Sequence, residues 1–313
     1  MPHNASQPGG CELGPRPIDL HLAGLRDLGA EITESGGIIR CRCDKLRGRR
    51  IVLGFPSVGA TENLMLAACA AEGDTTIENA ACEPEITEVQ NFLNRCGAKI
   101  RGGGTSTVHI TGRPVFHGGT WRVMPDRIVT ATYLCACGCA GGEVYLRGGR
   151  EDHLAAVTEV LRRAGCMLRE DAAGIRCVCK ERLCAVPTVR TAPYPGFPTD
   201  AQAVVMAALC KGKGTTVFEE NIFENRYRHV DELRRLGADI RVSGRAAVIS
   251  GVERLAGANV AATDLRGGAA LCAAALGADG VSRIGEIHHI DRGYEDIARD
   301  LRALGAHIFR REE

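Results

Sequence analysis

Leu236-Gly237-Ala238-Asp239-Ile240 is one of five copies of a short phrase that divides this chain. The others are Leu28-Gly29-Ala30-Glu31-Ile32, Cys96-Gly97-Ala98-Lys99-Ile100, Ala164-Gly165-Cys166-Met167-Leu168 and Leu304-Gly305-Ala306-His307-Ile308. Their glycines are separated by 68, 68, 72 and 68 residues. Self-similarity at a fixed period marks one supersecondary unit used repeatedly. An amphipathic run precedes each glycine: Ile86 to Leu93 leads to Gly97, and Val230 to Leu233 leads to Gly237. A glycine just past a helix takes the left-handed cap and lets the chain turn into a strand. Alternating runs such as Thr107-Val108-His109-Ile110 and Ala247-Val248-Ile249 follow. Upstream lie a further strand and helix, as in Arg50 to Leu53, Asn63 to Ala71 and Thr75 to Glu78. The unit therefore reads strand-helix-strand-helix-strand-strand, an α/β module with a mixed sheet. Only 28 residues precede Gly29, so the pattern predicts that roughly 100 residues of repeat are absent from the N-terminus.

Composition narrows the function classes. The 313 residues carry 39 Lys and Arg against 38 Asp and Glu, a net charge of +1 that offers no basic excess for nucleic acid or an anionic membrane. Aromatic content of 4% also argues against base-stacking surfaces. No apolar run approaches a membrane span and the first residues have no signal-peptide character, so a cytoplasmic protein is expected.

Fifteen cysteines in a chain of this size, with no C-x-x-C pair, do not read as a disulfide framework. Cys135, Cys137 and Cys139 fall on a helical stretch, where alternate positions diverge and cannot close on one tetrahedral metal. Cys69, Cys96, Cys166, Cys210 and Cys272 read as small core hydrophobes in helical stretches. No metal and no organic cofactor is expected. Cys11 differs: Pro8-Gly9-Gly10-Cys11-Glu12-Leu13-Gly14-Pro15 forbids a helix and writes a loop that carries either an idle surface cysteine or an accessible, reactive thiol. Arg16 lies five residues on, where a guanidinium favours a thiolate or holds an anion.

Other candidates occupy matching places in the units. Ser57-Val58-Gly59-Ala60-Thr61 opens a helix and is either an anion seat or ordinary capping. The same place later carries Pro125-Asp126-Arg127, Pro198-Thr199-Asp200 and Ala262-Thr263-Asp264-Leu265-Arg266. Those aspartates are either N-caps or carboxylates turned to a shared cleft. Arg226 and Arg292 sit at equivalent helix starts, with Arg16 at that place in the first copy, and together suit a phosphate- or carboxylate-rich substrate.

These motifs in order make the chain resemble the enolpyruvyl transferases, from Gly9 to Arg310. The resemblance rests on the cysteine loop with Arg16-Pro17-Ile18-Asp19-Leu20-His21, on Pro56 to Asn63, and on Glu78 to Ala81 with Glu83 to Ile86. Pro195 to Asp200, Phe223 to Arg226, Ala262 to Arg266 and His289 to Tyr294 complete it. The branch that makes peptidoglycan precursor fits better than the shikimate-pathway sister, which lacks the cysteine loop. The resemblance implies two inside-out α/β barrels, with 1–124 an incomplete first domain and 125–313 a complete second, and an active site in the cleft between. It implies UDP-N-acetylglucosamine and phosphoenolpyruvate as partners and addition–elimination as the reaction. Carried over by motif, Cys11 is the general acid and the thiol that fosfomycin alkylates. Asp200 becomes the base toward the sugar hydroxyl, and Asp264 lies near the reacting carbons. Arg16 and Arg292 hold phosphate, with Arg226 and Arg266 supporting. Arg16, Pro17, Ile18, Asp19 and Leu20, with Ser57, Val58 and Gly59, hold uridine and diphosphate, and the Ile222 backbone touches the nucleotide sugar. The family's Lys-Asn pair near its start has no counterpart here. The alternative is therefore an inactive remnant that binds nucleotide sugar or a full-length copy.

Overall fold

All five repeat glycines take positive φ, between +93° and +110°, so each phrase ends its helix through a backbone that L-residues avoid, and the first four lead directly into a strand. A computed structural model describes residues 3–6 and 18–311. The first unit comprises β1 (His3–Ser6), α1 (Asp19–Asp27), β2 (Glu31–Ser35) and β3 (Ile38–Arg42), in an antiparallel sheet ordered β1-β3-β2. The second runs β4 (Arg50–Val52), α2 (Val58–Cys69), β5 (Asp74–Glu78), α3 (Pro84–Arg95), β6 (Lys99–Arg101) and β7 (Thr107–Thr111). The third begins at α4 (Arg127–Ala140), then β8 (Gly142–Arg147), α5 (Ala155–Arg163), β9 (Met167–Asp171) and β10 (Gly174–Cys179). The fourth is β11 (Thr188–Arg190), α6 (Thr199–Leu209), β12 (Thr215–Glu219), α7 (Val230–Arg235), β13 (Asp239–Ser243) and β14 (Ala246–Ser250). The last comprises β15 (Leu255–Ala256), β16 (Asn259–Ala261), α8 (Leu265–Leu276), β17 (Ala278–Asp279), β18 (Arg283–Gly285), α9 (His288–Asp291) and α10 (Ile297–Ala303).

The second and fourth units realise the expected element order in full and share one topology. Their sheets are ordered β4-β5-β7-β6 and β11-β12-β14-β13, each with a parallel first pair and antiparallel partners beyond it. Even their ion pairs repeat: Arg50 holds Glu78 across β4–β5, and Arg190 holds Glu219 across β11–β12. Each sheet is closed by a glycine after its third strand. Gly112 N–H donates to Gly73 O and Gly251 N–H to Gly214 O, and a Cβ on either glycine would overlap backbone of the loop it meets. The third unit's first described element is a helix, and after α10 the described residues form no strand.

The chain divides into two compact units, one holding 18–124 with 193–195 and the other 125–192 with 196–311. In the second, α4, α6 and α8 pack on one another and are buried on nearly every side. Ala, Cys, Gly and Val dominate these helices, so their backbones approach closely and a helix apolar all round finds its place inside. At their C-terminal ends Lys211 Nζ donates to Gly277 O at 2.7 Å. There too Gly277 lies so near Cys139 O that a Cβ would overlap it. In the first unit α2 has a similar composition, packs on α1, α3 and its sheet, and exposes Leu66.

The cysteines among the described residues are all free, and most are buried. Burial pushes the thiols of Cys135 and Cys210 up, and those of Cys139 and Cys272 up to about 12. Cys166 departs from the sequence reading: it lies in the turn after α5, where Gly165 has already ended the helix. Among the described residues no helix is long and apolar enough to cross a membrane.

Candidate active site

Three helix N-termini converge in the second unit, and the aspartates at them divide into two kinds. Asp126 caps α4, its Oδ1 accepting from Ile128 N at 2.7 Å and Val129 N at 3.0 Å. Asp264 caps α8 in the same way, Oδ1 accepting from Arg266 N and Gly267 N at 3.0 Å each. Its Oδ2 accepts from Thr263 Oγ1 at 3.2 Å, and the residue is buried. Asp200 is released from capping, because Pro198 occupies the N-cap of α6 and the carboxylate stands two residues further on.

Arginines hold it instead. Arg226 Nη2 donates to Asp200 Oδ1 at 2.8 Å, and Arg266 Nη2 to Oδ2 at 3.1 Å. The Arg226 side chain is only 2% exposed against 42% for Asp200, so the cation is sequestered and the carboxylate still meets solvent. Arg226 also donates to Thr199 O, through Nε at 3.2 Å and Nη2 at 3.0 Å. Burial alone would raise the Asp200 carboxyl, but Arg266 and Arg226, with the field of Arg127, hold it below the usual carboxylate range. Arg266 is further bonded to Tyr294, whose hydroxyl lies 2.7 Å from Thr132 Oγ1 on α4. Arg226, Arg266 and Arg127 thus stand at these helix ends with Asp126, Asp200 and Asp264, and the guanidinium groups paired to the half-exposed Asp200 are the ones that can exchange it for an anionic ligand.

Two buried residues support this cluster. Glu220 accepts from Thr191 Oγ1, Thr199 Oγ1, Ile222 N and Phe223 N at 2.8–3.0 Å, and so fixes the loop after β12 against the start of α6. The Ile222 N–H is committed inward, which leaves its carbonyl as the backbone group to offer a ligand. His229 is buried at the start of α7, and neither ring nitrogen has a hydrogen-bond partner. Burial pushes its imidazole down to about 4, opposed by the attraction of Asp264 and reinforced by Arg226.

In the first unit the N-terminal ends of α1 and α2 lie side by side. Asn63 Nδ2 and His21 Nδ1 are 3.1 Å apart, and a Cβ on Gly59 would stand 3.3 Å from the His21 ring. Ile18, Asp19 and Leu20 at the start of α1 are thereby brought beside Ser57, Val58 and Gly59 at the start of α2. Ser57 Oγ is used as a cap, accepting from Ala60 N at 3.3 Å. Cys11, Arg16 and Pro17 lie outside the described residues. Arg292 ends α9 with an exposed side chain.

Arg127, Glu220, His229 and Tyr294 were not among the sequence candidates. The matching helix starts would have pointed to Arg127, and Tyr294 ends the motif that contains Arg292. Nothing local marks Glu220 or His229.

The family model described as EPSP synthase (3-phosphoshikimate 1-carboxyvinyltransferase) matches residues 3–301. The chain belongs to the enolpyruvyl transferases. It is 50% identical over 305 residues to UDP-N-acetylglucosamine 1-carboxyvinyltransferase 2 of Caldanaerobacter subterraneus subsp. tengcongensis, covering 97% of this chain and 73% of that one. Identity is 49% over 306 residues, covering 98% and 73%, to UDP-N-acetylglucosamine 1-carboxyvinyltransferase of Nitratidesulfovibrio vulgaris. Among solved structures, the enolpyruvyl transferase NikO from Streptomyces tendae superposes with a TM-score of 0.85 at 24% identity, over 97% of this chain and 73% of that one. EPSP synthase from Acinetobacter baumannii gives 0.69 at 20% identity, over 96% and 73%. The enolpyruvyl transferase fold that the motifs imply by resemblance is thus met again in the superpositions.

Proposed function

We propose that this enolpyruvyl transferase moves the enolpyruvyl group of phosphoenolpyruvate to the 3′-hydroxyl of UDP-N-acetylglucosamine, the first committed step of peptidoglycan synthesis. The observation that carries the reading is about half-identity, over nearly all of the chain, to relatives named for that transfer. The Asp200 cluster supports it chemically.

In the first step Cys11 gives its proton to the methylene carbon of phosphoenolpyruvate, and the sugar hydroxyl adds to the neighbouring carbon. Asp200 takes the hydroxyl proton, and a tetrahedral phosphate ketal results. In the second step the carbon–oxygen bond to phosphate breaks, the methyl carbon returns a proton to the Cys11 thiolate, and the departing phosphate takes up the proton held by Asp200, which leaves the enol ether formed and both groups restored. A carboxylate held between two guanidinium groups is a weak base. When an anionic substrate draws Arg266 toward itself, Asp200 loses part of that field and its basicity rises toward the reaction's need. Arg16 and Arg292 hold phosphate in this reading. Asp264 lies near the reacting carbons while its other oxygen keeps α8 capped. The paired starts of α1 and α2 seat the diphosphate, with Ile18 to Leu20 and Ser57 to Gly59 around the nucleotide. No metal or organic cofactor takes part.

The test mixes the protein with UDP-N-acetylglucosamine and phosphoenolpyruvate and measures phosphate release together with the mass of the sugar product. Equimolar phosphate and an enolpyruvyl adduct are expected, with none from shikimate 3-phosphate, and fosfomycin should add to Cys11 and stop turnover. Calorimetric binding of the nucleotide sugar without phosphate release would instead make the chain a silent binder.

A further inference from the structure

Away from the three helix N-termini, four buried sulfurs gather where α4 crosses the sheet β8-β10-β9. Cys177 and Cys179 are two residues apart on β10, so their side chains leave the same face of the strand. Both are buried while Arg176 between Ile175 and Cys177 is exposed, which fixes that face as the inner one. In the antiparallel pairing Met167 stands opposite Val178, and continuing that register puts Cys166 opposite Cys179. Cys137 reaches the same place from α4, its Sγ donating to Gly142 O at 3.5 Å and lying 3.8 Å from Cys177 O. The sulfurs of Cys137, Cys177 and Cys179 all lie within 4.8 Å of one another. Cys166 Sγ is 2.9 Å from Cys179 Sγ, and Cys177 Sγ is 3.8 Å from Cys179 Sγ.

We propose that Cys137, Cys166, Cys177 and Cys179 form a closed tetrathiolate site for a soft divalent cation of the zinc class, tying α4 to its sheet. A tetrahedron with metal–sulfur bonds of ~2.3 Å has sulfur–sulfur edges of about 3.8 Å, the separation already present between Cys177 and Cys179. Cys166 stands outside the group of three mutually close sulfurs, so as a fourth ligand it must swing toward Cys137 and Cys177 while its edge to Cys179 opens by about 0.9 Å; it lies ahead of β9, where such a shift disturbs no ladder. Four sulfur ligands with no oxygen or nitrogen select against magnesium and calcium, and the lack of an open position makes the site structural rather than catalytic. Cys137 turns away from its helical neighbours and finds its partners 29 to 42 residues on. Binding releases the thiol protons, including the one Cys137 now aims at Gly142 O, and leaves the cation to balance the sulfur charge.

The test is elemental analysis of the full chain purified without chelator after growth with zinc. About one zinc per chain is expected, falling below about a tenth in Cys177→Ala and unchanged in Cys272→Ala, a buried thiol outside the cluster. Should Cys177→Ala fail to fold, cobalt added to the chelator-stripped wild type supplies a second measurement. Intense sulfur-to-cobalt charge-transfer bands would support the site, and their absence would overturn it. Zinc-free protein from zinc-replete cells, or a 166–179 disulfide in the protein as isolated, would also overturn it.

Discussion

Asp200 and Asp264 occupy matching motifs, yet their side chains have different work. Asp264 is consumed by two backbone N–H groups, whereas Asp200 makes no cap and is held by Arg226 and Arg266. Asp200→Asn keeps the shape and removes the proton acceptor. Turnover should fall by about 10²- to 10⁴-fold while nucleotide-sugar affinity, read by calorimetry, moves little. Equal losses in both would make Asp200 a binding group. Asp264 needs a paired comparison: Asn retains the capping oxygen and Ala does not. Asp264→Ala should lose about 0.5–2 kcal/mol of stability in urea unfolding, Asp264→Asn much less. Turnover lost in the Asn variant at unchanged stability would then report chemistry rather than capping. His229 gives a pH signature. Below its ordinary value of 6.5 the unfolded chain takes up a proton that the folded chain refuses until about pH 4. Stability is therefore full above 6.5 and drains as pH falls toward 4, by up to about 3 kcal/mol. Urea midpoints from pH 7 to 4.5 should fall in the wild type and be flatter in His229→Gln.

At the scale of elements, the glycine phrase was readable because left-handed caps and alternating strands are local events, written within ten residues. The split between the aspartates was not readable, since it depends on which residue takes the N-cap. Pro198 does so in α6, and the helix starts one residue ahead of Asp200. The sulfur cluster was hidden for another reason: the β9–β10 register, not sequence spacing, sets Cys166 against Cys179. Glu220 was equally silent, its role being fixed by partners just past β11, at the start of α6 and in its own loop. What repeats most closely is the closing glycine of each full unit. Gly112→Ala and Gly251→Ala both push a methyl into backbone, which cannot swing aside as a side chain can. Each should lose about 1–3 kcal/mol in chemical unfolding, and wild-type midpoints in either variant would mean the loops at Gly73 and Gly214 give way freely.

For the whole molecule the question is whether those two losses are felt together. Two apolar clusters share no member: one runs from Leu28 to Ile110, the other from Ala131 to Leu301. The second is much the larger and contains the three buried helices, so it removes more apolar surface from water and should unfold at the higher temperature. Chains with separate cores commonly depart from two-state unfolding. Calorimetry should therefore show two transitions. Gly112→Ala should lower only the first and Gly251→Ala only the second. Because α4 and β10 belong to the larger core, stripping the proposed metal should act on the second transition and leave the first in place. Nucleotide sugar, in the proposed function seated at the starts of α1 and α2, should raise the first by mass action. One transition displaced equally by both glycine variants would mean that the repeats cooperate across the full chain, and the division into two cores would then have no thermodynamic meaning.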